Sequence, residues 1–274
     1  MIDYPKKWDD IDNDMLINIA PYCLQDSIDN RVRLLQILCP PERLGELLRA
    51  KPSGIRAMLP CFDWVYNTYF TEPRIPTFEL CGTTYHLPAA QLKYCHIIEW
   101  AQAETYFDRI TGSGNFAKKQ PDPTYINHLI LTLCRPEIAN IDRSNPHWDG
   151  DNREYFSPVL NRQRIAMMGN LPANFKCFFL LFYLGCKKYI NRHFEILFEK
   201  PKAEPIGISK YQTGFYRPMD FGWTGVIMDI AETGTFGKFE EVQYTNLYTI
   251  LYYLSKKRYD YLEQQANAQK HANT

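Results

Sequence analysis

The chain has 274 residues, of which 45% are hydrophobic and 15% aromatic, enough to fill a substantial core, so disorder is not its default state. Lys plus Arg and Asp plus Glu both number 31, which leaves no net field to draw the chain to nucleic acid or an anionic membrane. The eight cysteines (Cys23, Cys39, Cys61, Cys81, Cys95, Cys134, Cys177 and Cys186) include no C-x-x-C pair and are spread through a chain that needs no staples; free thiols in a reducing cytoplasm are expected.

The first residues, Met1 to Trp8, run quickly into acidic positions and lack the apolar core of a secretory signal. Asp9, Asp10 and Asp12 then place carboxylates at a helix start, with Ile11, Met15, Leu16 and Ile19 following at helical spacing. A second helix runs from near Asp26 to Cys39, where Pro40-Pro41 stops it and Pro41 can open the next. Pro52, Pro60 and Pro73 supply further breaks in a bundle-like N-terminal region.

From Pro76 the period changes. Thr77 to Leu80 and Thr83 to Leu87 alternate around Cys81-Gly82, which predicts a β-hairpin over 77–87. Pro88 suits the first position of a helix running to about Thr111, with Tyr94, Ile97, Ile98 and Ala101 on one stripe and Leu92, Trp100 and Phe107 on another; such a helix should be central and buried. After the break Gly112-Ser113-Gly114-Asn115, a further helix is expected from Pro123 to Cys134, and residues 136–157 read as a long polar loop.

A long helix should cover 172–198. Its most apolar part, Cys177 to Cys186 (CFFLLFYLGC), is about half the ~20 residues needed to cross a bilayer and reads as a buried segment. Residues 199–221, with Pro201, Pro205 and Pro218 among lysines and glycines, read as an extended connector. Helices over about 222–232 and 239–262 follow, then a polar tail, 263–274, expected to fray. The expected fold is therefore mainly α, a helical bundle with one small hairpin: a body over 1–198, the connector, a helical pair over 222–262 and the tail.

Motifs for catalysis are weak. Cys81, His86, Cys95 and His96 lie close in sequence but lack the spacing by which one turn aims two ligands at one ion. His147, Asp149, Asp151 and Glu154 concentrate a histidine and three carboxylates in the polar loop, the best place for a metal-dependent enzyme's chemistry; in calcium-loop register, however, the bidentate position falls on Phe156. Gly112 to Ala117 matches G-x-G-x-x-A but follows a helix instead of a strand, and Gly234-Thr235-Phe236-Gly237-Lys238 lacks the phosphate-loop spacing. No G-x-S-x-G or H-E-x-x-H occurs. The basic groups Lys187, Lys188, Arg192 and Lys256, Lys257, Arg258 read as solvated faces. No catalytic residue, cofactor or metal is expected.

Aromatic residues are the remaining signal. Tyr244, Leu247, Tyr248 and Leu251 follow core spacing on the last helix, with Tyr252 and Leu254 flanking, while Tyr253 projects to the opposite side. The connector adds Tyr211, Phe215, Tyr216 and Phe221. Tyr211, Phe215, Tyr216, Phe221 and Tyr253 are the expected partner-binding residues, since exposed aromatics favour a protein interface.

The hairpin-then-helix region, Phe78 to Leu87 with Gln91 and the run to Phe107, resembles the core element of tail assembly chaperones of tailed phages and prophages. The pattern Gly222-Trp223, Ala231-Glu232, Gly234-Thr235-Phe236-Gly237, Glu241-Val242 and Asn246-Leu247-Tyr248 is similar to proteins of phage structural modules. The resemblance implies a non-enzymatic chaperone or adaptor in the cytoplasm of a bacterial host cell that binds a helical, tape-measure-like tail protein in the manner of a helix in a groove. A structural tail or connector component is the alternative from the same resemblance; a metal-dependent enzyme using the 147–154 loop is the alternative from another class.

Overall fold

The computed structural model describes residues 4–40, 43, 45, 49, 51–114, 120–140, 143–144, 150–198 and 221–272. They form a mainly α fold with a small antiparallel sheet, as the periodicity predicts. In chain order the elements are α1 Asn13–Cys23, α2 Ile28–Leu38, α3 Pro52–Met58, α4 Asp63–Asn67, β1 Thr77–Leu80, β2 Thr83–His86, α5 Ile97–Thr111, α6 Ile126–Leu133, β3 Arg135–Pro136, α7 Pro158–Met168, α8 Ala173–His193, α9 Glu195–Phe198, α10 Gly222–Glu232, α11 Phe239–Gln243 and α12 Leu247–Ala272. The chain divides into two compact units that interleave in sequence: residues 1–91, 126–142 and 152–187 form the first, and residues 92–125, 143–151 and 188–274 the second.

In the first unit, α1 and α2 start at side-chain caps: the Asp12 carboxylate accepts from the Met15 amide at 2.8 Å and the Ser27 hydroxyl from that of Asn30 at 3.1 Å. Their apolar stripes are buried through Leu16, Ile19, Leu34 and Leu35 together with Phe62. Trp8 packs edge-on against Trp64 at 5.0 Å and Phe70 at 5.3 Å, and the Arg74 guanidinium donates to the carbonyls of Trp8 and Ile11 at 2.8 and 2.7 Å, tying the N-terminal segment down. Pro52, expected only as a break, also opens α3, where its missing N–H costs nothing.

The hairpin pairs Thr77 with His86 and Leu80 with Thr83. Its two turn residues, Cys81 at φ 51° and Gly82 at φ 77°, both occupy the left-handed region, as a type I′ connection requires. β3 adds to the sheet through Tyr85 opposite Pro136 and His86 opposite Arg135; a two-residue strand carries no periodicity to announce it. Phe78 stacks on Tyr85 at 5.3 Å and meets Phe175 of α8 at 4.9 Å. On α8, Phe178, Phe179, Phe182, Tyr183 and Cys186 are fully buried, so the apolar run is a core helix. Gly185 lies where that helix meets the chain at Phe70: a Cβ there would sit 2.0 Å from the Phe70 carbonyl oxygen. No helix among the described residues is long and apolar enough to cross a membrane.

In the second unit, α5 begins at Ile97 and not at Pro88. Gln91 and Leu92 hold positive φ (59° and 61°), which breaks any helix running on from Pro88. Glu99, fully buried, reaches back to the start of α5, where one carboxylate oxygen lies 3.0 Å from His96 Nδ1. The starts of α5 and α12 clasp each other: the Ile97 amide donates to the Thr245 carbonyl at 3.0 Å, the Leu247 amide to Cys95 at 2.8 Å, and the Asn246 side-chain amide to Lys93 at 2.8 Å.

That clasp also explains why the expected helix over 239–262 is two helices. Asn246 accepts from the Tyr248 amide at 2.9 Å, the geometry of a fresh helix cap. At the other end α12 continues through Ala272, where a fraying tail was expected; Glu263 to Ala272 contains no Gly or Pro and is rich in Ala, Gln, Glu and Lys, which favour helix.

Candidate partner-binding face

The second unit concentrates exposed apolar surface. Phe221 is 57% exposed at the start of α10, and Met228 44% exposed on that helix. Tyr244, Tyr252, Tyr259, Tyr261 and Leu262 follow at 46%, 56%, 61%, 49% and 40%. Outside 221–262, the described large apolar side chains with comparable exposure are Ile28 and, four residues apart, Tyr155 and Val159, all in the first unit.

Of the five expected contact residues, Tyr211, Phe215 and Tyr216 lie outside the described residues. Phe221 is open to solvent. Tyr253 is half-buried and held on several sides: its ring meets Phe236 edge-on at 5.1 Å, Lys257 Nζ lies 5.5 Å from the ring centre, and hydrogen bonding to the Thr235 and Thr233 hydroxyls keeps its phenol below the ordinary tyrosine value. It offers a fixed ring edge more than a mobile anchor.

Other aromatics change role. Tyr244, expected in the core stripe, lies past the end of α11 because α12 begins three residues later, and its exposed ring meets His96 edge-on at 5.8 Å. Tyr252 is exposed but oriented, its hydroxyl 3.0 Å from His193 Nε2 and its ring 5.0 Å from Phe194. From Lys256 to His271, every side chain of α12 except Asp260 is exposed. Tyr259 and Leu262 carry no sequence signal beyond their seven- and three-residue offsets from Tyr252 and Tyr259.

The chemical alternatives resolve unevenly. His147 and Asp149 lie outside the described residues, while Glu154 is engaged in a two-pronged pair with Arg164 at 2.6 and 3.0 Å. Among the described residues no three His, Cys, Asp or Glu side chains gather to hold a metal ion. Gly112 ends α5 in the left-handed conformation, and Gly234 and Gly237 occupy positive φ in the turns between α10 and α11, so these glycines serve the backbone. All eight cysteines are unbridged; burial pushes the Cys23 thiol up to about 12 and the Cys61 thiol up to about 11. Compared with known proteins, the chain matches no family model, no curated sequence and no solved structure.

Proposed function

We propose that the chain is a non-enzymatic binding protein whose second unit engages an amphipathic helix of a protein partner. The observation that carries the reading is the concentration of exposed Phe, Met, Tyr and Leu side chains between Phe221 and Leu262. Solvent-exposed aromatics and methionine are the residues enriched at protein interfaces, because rings bury much area with little lost conformational entropy and the flexible thioether adapts to an irregular partner surface. The likeness of the hairpin-helix and C-terminal patterns to phage tail assembly chaperones gives this binder a more specific reading: a chaperone or adaptor that covers the apolar stripe of a tape-measure-like tail protein until assembly.

Co-expression with a tape-measure-like helical protein tests it. Co-purification of the two, release on assembly, and loss of capture in Phe221→Ala combined with Met228→Ala are the expected results. Permanent incorporation into particles would point to a structural tail component. Absence of any association, with divalent-ion-dependent turnover lost in Asp151→Asn, would overturn the reading in favour of an enzyme.

A further inference from the structure

α12 is long for what it packs against. Leu247, Ile250 and Leu251 are fully buried, but beyond Ser255 the helix lies in solvent. A solvated helix of about this length is marginal by itself, because few of its residues gain packing. A seam nevertheless runs from the half-buried base of that part, where Tyr252 rests on His193 and Phe194 and Ser255 is half-buried, out along the exposed turns. Tyr252, Ser255, Tyr259, Leu262, Ala266 and Gln269 are spaced alternately three and four apart, and at 100° per residue they fall within one arc of about 100°. Tyr253 and Tyr261 project elsewhere, so this stripe is distinct from the Phe236–Tyr253 contact.

We infer that the Tyr252–Gln269 stripe of α12 is the seam of an antiparallel two-helix contact with a second copy of this chain. Self-pairing is favoured by charge. Lys256 and Glu263 lie on the same flank of the stripe, one heptad apart, in the positions that face each other across an antiparallel pair. A two-fold axis between residues 260 and 261 therefore sets Lys256 of each copy against Glu263 of the other, twice, with no like-charge pair on that flank.

The same axis layers Tyr259 against Leu262, large on large, and Ser255 against Ala266, small on small. It also opposes the helix dipoles and places the bare end of one helix beside the packed base of the other, so two packed bases do not meet. The seam takes Tyr252, Tyr259 and Leu262 and leaves Phe221, Met228 and Tyr244 exposed for a protein partner, so a chain that binds no tail protein can still dimerise, and a monomer can still bind one.

Sedimentation of the full chain from about 5 to 200 μM tests it, a range set by a seam smaller than the ~1,200 Å² of a standard interface. The wild type should pass from monomer to dimer and no further. Lys256→Glu should shift the midpoint at least about tenfold higher, one tenfold step corresponding to about 1.4 kcal/mol, and the double variant Lys256→Glu with Glu263→Lys should restore it. Leu262→Glu should be monomeric with unchanged circular dichroism, since Leu262 is exposed within the single chain.

In a Tyr259→Cys and Leu262→Cys mixture, oxidation should link the two different variants in preference to either with itself. A wild type that stays monomeric at the highest concentration, a dimer indifferent to Leu262→Glu, or Leu262→Cys linking chiefly to itself as a parallel pair would each overturn the inference.

Discussion

Replacing Gly185 with alanine isolates the closest approach in the first unit. In a helix interior this change ordinarily stabilises by about 0.5–1 kcal/mol, because glycine loses more backbone freedom on folding. Here the new Cβ would lie 2.0 Å from the Phe70 carbonyl oxygen and 3.0 Å from its carbon. Carbon and oxygen rest no closer than about 3.3 Å, so roughly 1.3 Å must be recovered by moving backbone.

The Phe70 ring is held by Phe178, stacked at 6.0 Å, and by Trp8, edge-on at 5.3 Å, so that movement disturbs packing on two sides. Overpacking of this kind costs about 1–3 kcal/mol, occasionally more, and outweighs the entropic gain. A backbone shift this large puts the cost at the upper end of that range, so the expected net loss is about 2 kcal/mol, a fall in Tm of about 4–8 °C for a chain of this size.

Urea unfolding followed by tryptophan fluorescence measures it, with Gly54→Ala as the control. Gly54 lies in α3 with nothing within 4 Å of its added Cβ, and its substitution should raise stability. A Gly185→Ala protein as stable as the wild type would refute the argument that the Phe70 carbonyl cannot yield.

Cys81→Asn should stabilise the hairpin by about 0.5–1 kcal/mol, since Asn tolerates the left-handed conformation of a type I′ turn better than Cys; an unchanged melting midpoint would count against the turn assignment. Burial pushes the Cys23 thiol up to about 12 from 9.0, and the Tyr4 and Tyr66 phenols up to about 12 from 10.0. Because these folded values are raised, their stabilisation is fully present below about pH 9 and is lost as pH climbs toward 12. The urea midpoint should therefore fall through that window, with a shallower fall in Cys23→Ala.

Tyr253 has the opposite sign. Hydrogen bonds from Thr235 and Thr233, aided by Lys257, lower its folded value, so its linked stabilisation belongs to alkaline solution and fades as pH falls through that value. Difference absorbance against Tyr253→Phe should show one tyrosinate forming earlier than an ordinary tyrosine. Arg164→Lys should lose about 1–2 kcal/mol, because an ammonium cannot reproduce the two-pronged grip on Glu154; full retention of stability in urea would show that the pair contributes nothing.

Elements with a dominant local signal were legible in the sequence. Alternation around Cys81-Gly82 located the hairpin, and the phenylalanine-rich run from Cys177 to Cys186 marked a buried helix. What escaped was set by long-range contacts. Pro88 has every local property of a helix opener, yet the chain at Gln91 and Leu92 takes a left-handed path, with the Gln91 amide bonded to the Thr71 carbonyl. Tyr244 fits the core stripe only if the helix is continuous, and the clasp at Asn246 interrupts it. At the candidate face Phe221 is exposed and Tyr211, Phe215 and Tyr216 lie outside the described residues, while the exposure of Tyr252, Tyr259 and Leu262 depends on where α12 leaves its packing, which no spacing rule reveals.

The clasp between the starts of α5 and α12 sets a timetable for synthesis. Lys93 and Asn246 are 153 positions apart, so the first turn of α5 cannot close its contacts until residues 245–247 have left the ribosome. Every segment of the first unit has been made by Lys187. The first unit can therefore fold during translation while residues 92–125 wait, their apolar faces open, for a closure that comes only after the second unit's late segment emerges. A ribosome stalled once Lys187 has left the exit tunnel should carry a protease-resistant first unit and a cleavable 92–125 segment, a state in which the nascent chain itself needs shielding.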